Sequence, residues 1–354
     1  MQLAILVPRY GSDVLGGAET LARGLAQAAT RHGWQVEVWT SCARSHYTWR
    51  NDQPAGAERQ QGVVVRRFPV TRRAPRRHAE LDLRLAEQGA LPAEEQYAWL
   101  DSGAHSPHLY AHVARCAQEW DLVIALPYAA PLVHYAAWAA PGRVVLWPCL
   151  HDEPYAYMEP VRLLLESVRG VMFLTPEERD LALRRLRMHP RCAGVVGGGV
   201  PAWPEPDGDA PASDFLLYVG RLEGGKNVDL LYDYVRRYAE HRDGVQLTVL
   251  GRGPATPPHH RAIAYRGFVP EEEKQRTYRR ALALCQPSLN ESFSITMMES
   301  WLSGRPVLVH GACPVTRGHV ERSRGGLWFR SFEEFAGAVD WLRAHPALAT
   351  RMGR

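Results

Sequence analysis

Two basic residues follow a short apolar run in the second half of the chain. Arg221 and Lys226 stand five positions apart, just after the run Leu216–Val219 and within a glycine-rich stretch. If that run is a strand of a parallel sheet, its end lies at the edge where such sheets bind ligands. A planar guanidinium and a mobile ammonium together suit a pyrophosphate. The alternative interpretation is a solvated turn without a ligand.

Two glutamates, Glu291 and Glu299, are separated by seven residues around the start of a predicted helix. If the helix begins near Ser294, the N–H groups of Ser294, Ile295 and Thr296 are available to hold phosphate oxygens. Glu291 then lies in the preceding loop. Glu299 lies about one and a half turns into the helix, where its carboxylate can accept hydrogen bonds from both hydroxyls of a ribose. Such a spacing often arises by chance, but combined with the basic pair it indicates a nucleotide site.

The first half of the chain offers weaker signals. Gly16 and Gly17 open a predicted helix after the first strand, where backbone N–H groups can approach an anion. An ordinary helix start is the alternative. The fingerprint GxGxxG is absent after that strand, which argues against an oxidoreductase. His151 lies just past the carboxyl end of the predicted strand 143–148 and precedes Asp152, which favours an active-site role over a structural one.

Short apolar runs alternate with helix-length stretches along the chain, which is typical of parallel sheets covered by helices. The predicted strands are 3–7, 35–40, 62–68, 122–126, 143–148, 170–175 and 192–196, followed by 215–220, 246–251, 264–268, 283–287 and 306–310. The predicted helices are 17–33, 106–119, 131–140, 160–167, 176–186, 228–240, 271–281, 295–303 and one that begins near 331. The glycine- and proline-rich run 197–208 interrupts this pattern. The pattern predicts an α/β fold of two Rossmann-like domains, 1–200 and 201–354, with parallel sheets facing each other across a cleft.

The composition limits the classes of protein to which this chain can belong. The chain has 354 residues, of which 46% are hydrophobic and 23% charged, as expected for a soluble globular protein. A formal net charge of +4 suits anionic small molecules or a membrane surface, but without basic residues clustered among aromatics it does not indicate nucleic-acid binding. Six scattered cysteines without a CxxC pair argue against disulfides or a zinc site and are typical of a reducing cytosol.

Three segments bear on contact with membranes. Residues 122–140 are almost wholly apolar but contain Pro127, Pro131 and His134, so we predict a buried strand and a core helix rather than a membrane span. The start of the chain lacks the basic region and the length of a signal peptide. The arginine-rich stretch 66–77 is either a solvated face or a contact with anionic lipid. The expected location is cytoplasmic, with peripheral contact to the inner face of the membrane as an option.

Together these motifs resemble the "group 1" glycosyltransferases, enzymes of the GT-B fold that transfer a sugar with retention of configuration. The resemblance covers nearly all of the second half, through Gly220, Arg221, Lys226, the runs 250–254 and 267–270, Lys274, Glu291 and Glu299. In the first half it is limited to 16–19 and His151.

The resemblance implies a role for each matching residue. Arg221 and Lys226 would hold the donor pyrophosphate, Val269 and Lys274 would lie at the base, and Glu299 would bind the ribose. Glu291 would face the sugar, and the backbone from Phe293 to Thr296 would line the sugar and the phosphates. His151 would lie near the sugar hydroxyls, and the acceptor would enter near Arg9, Gly17 and His151.

The implied activity is metal-independent transfer of a sugar from a UDP- or GDP-sugar to a glycan, lipid-linked or small-molecule acceptor, with no cofactor. Two features depart from the family: serines stand at Ser292 and Ser294 where glycines are usual, and the sequence stops before the usual final helix that packs back on the N-terminal domain. That helix is either missing or part of an extension. Alternatives are therefore a catalytically weak nucleotide-sugar-binding protein on the same scaffold and a GT-B epimerase. A phosphorylase would need a pyridoxal-binding lysine, and neither Lys226 nor Lys274 has a context for one.

Overall fold

The chain forms two compact units, residues 1–199 and 200–354. The computed structural model describes residues 1–14, 16–72, 74–203, 214–242 and 244–354. Each unit has its own parallel sheet covered by helices. Of the predicted linker, residues 197–203 form neither helix nor strand, and residues 204–208 lie outside the described residues. The predicted fold class, two α/β units built on parallel sheets, is confirmed.

The first unit contains an eight-stranded sheet with the order β10-β9-β8-β7-β1-β2-β4-β3. Its strands are β1 (Gln2–Leu6), β2 (Gln35–Ser41), β3 (Gly56–Gln60), β4 (Val63–Phe68), β7 (Leu122–Ala125), β8 (Val144–Leu146), β9 (Gly170–Phe173) and β10 (Ala193–Val195), and a separate pair is formed by β5 (Thr71–Arg72) and β6 (Ala104–His105). All neighbours in the large sheet are parallel except β3 and β4, which form an antiparallel hairpin at its edge.

The helices of the first unit are α1 (Gly17–Arg31), α2 (Pro75–Gln88), α3 (Ala93–Ser102), α4 (Pro107–Cys116), α5 (Pro131–Trp138), α6 (Glu159–Ser167) and α7 (Pro176–Asp180), which continues as a π-helical turn. The sequence pattern missed α2 and α3. Pro75 occupies the first turn of α2, where a missing N–H costs nothing. The apolar segment 122–140 forms β7 and α5 as predicted. Among the residues described, no helix is long and apolar enough to cross a membrane.

The second unit has a six-stranded, fully parallel sheet with the order β13-β12-β11-β14-β15-β16. Its strands are β11 (Phe215–Val219), β12 (Gln246–Leu250), β13 (Ile263–Gly267), β14 (Ala283–Gln286), β15 (Val307–His310) and β16 (Gly326–Phe329). Its helices are α8 (Val228–His241), α9 (Glu271–Arg280), α10 (Ile295–Leu302), α11 (Pro314–Ser323), α12 (Phe332–Ala344) and α13 (Pro346–Gly353). The sequence pattern missed α11, β16 and α13.

Amphipathic spacing explains how the helices of the second unit cover the sheet. In α8, Val228, Leu231, Tyr232 and Val235 follow the i, i+3, i+4, i+7 pattern and are all buried. They pack in one core cluster with the β11 residues Leu216 and Tyr218. The helix thereby fixes where the loop between β11 and α8 leaves the sheet.

Two glycines let the loop after β12 lie directly against the loop after β11. A Cβ atom on Gly251, whose φ is +135°, would lie 1.8 Å from the Gly220 carbonyl oxygen, and one on Gly253 would lie 2.2 Å from that of Leu222. Leu222 N–H also donates to the Arg252 carbonyl at 3.1 Å. The backbone that carries the basic pair is thus supported by close contact that only glycine permits.

A buried carboxylate joins two strand ends in the first unit. Glu178 Oε1 accepts from Leu150 N–H at 2.5 Å, and Oε2 accepts from Leu174 N–H. Leu150 follows β8 and Leu174 follows β9, so the carboxylate holds the turn that precedes His151. Cys149 in that turn has a φ of +54°. Burial raises the pKa of Glu178 to about 7, against the opposing effect of the two N–H donors.

The glycine contact can be tested by Gly251→Ala. We expect unfolding free energy to fall by roughly 2–6 kcal/mol, since the positive φ and the clash each cost about 1–3 kcal/mol. Gly337→Ala is the matched control: Gly337 is exposed in the middle of α12 and a Cβ there meets no atom within 4 Å. That variant should be more stable by about 0.5–1 kcal/mol. Urea unfolding measures both, and a Gly251→Ala protein as stable as the wild type would contradict the contact.

The raised pKa of Glu178 predicts that the stability of the protein depends on pH. Because the folded-state pKa of Glu178 lies above the usual 4.5, the folded protein binds more protons than the unfolded chain between about pH 4.5 and 7. The contribution of Glu178 to stability therefore falls as pH rises through that window. The difference in Tm between wild type and Glu178→Gln should shift in favour of the variant between pH 5 and pH 8. Glu177→Gln, with a half-buried side chain on the same helix, is the control and should follow the wild type.

Candidate functional site

The basic loop and the first glutamate meet at the carboxyl end of the second sheet. Lys226 Nζ lies 2.7 Å from Glu291 Oε1, although the two residues are 65 positions apart. Lys226 ends a short 3-10 turn after β11, and Glu291 lies in the loop between β14 and α10. Asn227 Nδ2 also donates to the Pro287 carbonyl at 3.1 Å. These contacts tie the loops of two neighbouring strands together.

The Lys226–Glu291 pair is shielded from solvent, whereas Arg221 is not. The Lys226 and Glu291 side chains are only 19% and 9% exposed. The Arg221 side chain is 49% exposed and its guanidinium lies 3.1 Å from Glu223. Tyr218 Oη donates to the Arg221 carbonyl at 2.8 Å, which fixes the backbone but leaves the guanidinium movable. One held and one movable cation thus stand at the same sheet edge.

The start of α10 carries hydroxyl groups. Ser294 is its N-cap residue, with φ +66° and ψ +82°, a left-handed conformation that glycine adopts most readily. The side chains of Ser292, Phe293 and Ser294 are buried, and those of Ile295 and Thr296 are half-buried. The helix begins at Ile295, close to the position that the sequence predicted.

The second glutamate is held by α9. Glu299 Oε1 accepts from Lys274 Nζ at 2.7 Å and Oε2 accepts from Tyr278 Oη at 2.9 Å. Lys274 also lies 3.0 Å from Glu271. Burial opposes the charge of Lys274, but the two carboxylates outweigh it and raise the pKa of Lys274. Burial, aided by Glu299, raises the pKa of Tyr278 well above its usual value, so its hydroxyl remains a donor. Each Glu299 oxygen keeps a further lone pair for another donor.

An aromatic side chain that sequence reasoning overlooked lies beside this group. The Trp203 ring lies 5.7 Å from Lys274 Nζ and makes an edge contact with Tyr278 at 5.4 Å between centroids. Val269 follows β13 and packs, half-buried, against the same core cluster as Trp203. A single tryptophan in a proline-rich run carries no spacing signal, and only the fold brings it to α9.

In the first unit the two glycines before α1 differ. A Cβ on Gly16 would lie 1.9 Å from Glu19 Oε2, whereas one on Gly17 would meet no atom within 4 Å. Gly16 is therefore required by packing, and the space beside Gly17 is open. Arg9, expected near the acceptor, is buried: its guanidinium pairs with Glu19 and donates to the Arg44 carbonyl at 3.1 Å. The charge of Arg9 is therefore balanced by Glu19 within the first unit.

The carboxylate beside His151 is Glu153 rather than Asp152. His151 Nδ1 lies 3.5 Å from Glu153 Oε1, which accepts from Tyr128 Oη at 2.7 Å. Asp152 instead accepts from Tyr157 and pairs with Arg185. Adjacent positions in a turn point in different directions, which is why Glu153 lies beside His151 while Asp152 faces Tyr157 and Arg185.

Much of the basic stretch 66–77 is paired within the unit. Arg66 pairs with Glu37, buried Arg67 pairs with Glu58, and Arg77 lies within 3.8 Å of Glu80. Arg73 lies outside the described residues. Within the described ranges, no group of three or more His, Cys, Asp or Glu side chains is arranged to hold a metal ion.

Comparison with known proteins identifies this architecture. Residues 213–345 match the family model described as "Glycosyl transferases group 1". The D-inositol 3-phosphate glycosyltransferase of Jonesia denitrificans is 25% identical over 355 residues, which cover 90% of this chain and 80% of that protein. The corresponding enzyme of Segniliparus rotundus is 25% identical over 376 residues, which cover 97% of this chain and 80% of that protein.

Solved structures show the same fold over the whole chain. Sucrose-phosphate synthase from Thermosynechococcus elongatus superposes with a TM-score of 0.72 at 17% identity, covering 100% of this chain and 92% of that one. Anabaena Alr3699/HepE in complex with UDP gives a TM-score of 0.68 at 16% identity, covering 100% and 93%. The chain therefore has the GT-B fold of these structures, and its residues 213–345 match the group 1 glycosyltransferases.

Proposed function

We propose that the protein transfers a sugar, with retention of configuration and without a metal ion, from a UDP- or GDP-sugar to a glycan, lipid-linked or small-molecule acceptor. The observation that carries the proposal is the contact between Lys226 and Glu291, with Arg221 beside it at the ends of β11 and β14. Fixed cations next to a carboxylate suit a reaction in which a pyrophosphate leaves a sugar. HepE structures with UDP, with UDP and glucose, and with UDP-glucose support the uridine option.

Lys226 and Arg221 have complementary roles toward the leaving group. An ammonium has three donors, so Lys226 can keep its bond to Glu291 and still donate to phosphate oxygens. Arg221, half exposed, can turn toward the pyrophosphate and bind it with two N–H groups. The N–H groups at the start of α10, from Phe293 to Thr296, add the positive end of a helix dipole. Each such donor lowers the barrier by about 3 kcal/mol where charge develops on the leaving oxygen.

The nucleoside half is assigned to the group around Glu299. Lys274 and Tyr278 orient the Glu299 carboxylate, so it meets the two ribose hydroxyls with its remaining lone pairs. Val269, at the turn between β13 and α9, would contact the base. This part of the site has no direct hydrogen bond to Lys226 in the contacts described above, so base and ribose binding depend on a separate set of side chains.

The acceptor is assigned to the first unit, with residues 1–200 as the acceptor domain and 201–354 as the donor domain. The open space beside Gly17 and the half-buried imidazole of His151 support this assignment. A phosphorylated polyol, as in the D-inositol 3-phosphate glycosyltransferases, is one small-molecule acceptor of the proposed class. Retention is attributed to attack on the same face within an ion pair, with Glu291 facing the sugar.

Nucleotide binding provides the first test. Glu299→Gln should weaken UDP or GDP binding by about 10- to 100-fold, because a hydrogen bond to a charged group contributes about 1.5–3 kcal/mol. Lys226→Met should weaken it similarly through loss of the phosphate contact. Glu321→Gln, which changes an exposed carboxylate on α11 paired with Arg317, is the control and should bind like wild type. Calorimetric Kd values within twofold of wild type for both site variants would contradict the assignment.

Catalysis provides the second test. Transfer from the nucleotide-sugar that best raises Tm should persist in excess EDTA, because Arg221 and Lys226 supply the charge. The product should keep the anomeric configuration of the donor, as read by NMR coupling constants. An inverted product or complete loss of activity in EDTA would contradict the proposal. Tight donor binding without transfer or hydrolysis would instead support a nucleotide-sugar-binding protein.

A further inference from the structure

The strand that leads into the site ends on a buried amide. β14 consists of Ala283, Leu284, Cys285 and Gln286, all buried, and Gln286 is 5% exposed. Burying an amide costs roughly 1–3 kcal/mol unless its polar atoms are hydrogen-bonded. A polar residue at the end of an apolar strand is therefore retained for the contacts that it makes.

Gln286 contacts three groups at the proposed sugar site. Its Nε2 lies 3.1 Å from Glu291 Oε1, 3.1 Å from Ser294 Oγ and 3.4 Å from Thr296 Oγ1. Ser294 Oγ also lies 3.3 Å from Thr296 Oγ1. The Glu291 carboxylate only accepts hydrogen bonds, so it fixes the amide with its NH₂ group toward the site. One side chain thus links the loop glutamate to the first turn of α10.

Ser294 has a left-handed backbone conformation, and the hydrogen bonds of its hydroxyl help to stabilise it. A non-glycine residue with φ near +66° costs about 1–2 kcal/mol relative to the usual helical region. The hydroxyl of Ser294 is held by Gln286 and Thr296, which offsets part of that strain. The serine side chain is therefore fixed at the N-cap of α10, directly in the part of the site assigned to the sugar.

We propose that Gln286 is a positioning residue for the donor sugar: it orients the Glu291 carboxylate and the Ser294 hydroxyl so that both meet hydroxyl groups of the transferred sugar. This inference rests on the proposed function. It also predicts that Gln286 acts on the sugar half of the donor alone. The Lys226–Glu291 contact does not require the amide, and Lys274, Tyr278 and Glu299 form hydrogen bonds to one another without it.

The test compares the affinity for a nucleoside diphosphate with that for the corresponding nucleotide-sugar. Gln286→Met keeps the length of the side chain and removes both N–H donors. Gln286→Glu keeps the shape and places a second carboxylate beside Glu291, where like charges repel. Gln246→Met is the matched control, since Gln246 is exposed at the first position of β12, in the same sheet.

For Gln286→Met we expect UDP to bind within about twofold of wild type, while the ratio of the UDP-sugar Kd to the UDP Kd rises roughly 10-fold, the loss of one hydrogen bond to a charged group. The value of kcat should fall by a similar factor. Gln286→Glu should show a larger change in both quantities. The Gln246→Met control should match the wild type throughout.

Several results would overturn the inference. An unchanged Kd ratio and kcat in Gln286→Met would do so, as would equal weakening of UDP and UDP-sugar binding, which would mark a purely structural role. If Gln286→Met does not fold, Ser294→Gly decides, because it removes the hydroxyl and relieves the left-handed strain. That variant should raise the same Kd ratio, and an unchanged ratio counts against the inference. A wild-type protein that binds no nucleotide-sugar would instead defeat the proposed function itself, so the two failures are distinguishable.

Discussion

The half-buried ion pair between Lys226 and Glu291 is the interaction on which the arrangement of these loops depends. A charge that is largely withdrawn from water needs a partner, and here each charge supplies one for the other. The two residues belong to loops that follow β11 and β14, which are neighbours in the sheet. The pair therefore links the loops at the carboxyl ends of these two strands.

Support for the basic loop comes from backbone rather than side chains. The loop after β12 reaches the Gly220 and Leu222 carbonyls only because Gly251 and Gly253 have no side chain. Close packing of the loops after β11 and β12 thus explains Gly251 and Gly253 without a ligand. The same reasoning separates Gly16, which is required by packing against Glu19, from Gly17, whose surroundings are open.

The sequence predicted the alternation of strands and helices, because hydrophobic spacing is visible along the chain. It also singled out Arg221, Lys226, Glu291 and Glu299 from their charge and spacing, and their part in donor binding stays a prediction. It did not predict Gln286 or Trp203, because a single neutral side chain carries no pattern and its role is set by distant partners. It placed Arg9 near the acceptor, although a buried partner, Glu19, neutralises it. It singled out His151 from its place after a strand, but the contact of His151 with Glu153 is visible only in the fold.

The two units share a structural feature that is not visible in the sequence. In each, a carboxylate joins the loops of neighbouring strands: Glu178 holds the turn after β8, and Glu291 holds the loop after β11. Beside each lies a non-glycine residue at positive φ, Cys149 at +54° and Ser294 at +66°. Such strain persists only where surrounding contacts overdetermine the backbone. The compensation differs, because backbone N–H dipoles face Glu178 whereas a full cation faces Glu291. Because burial raises the pKa of Glu178 to about 7, the stability of the turn before His151 falls as the pH rises toward neutrality.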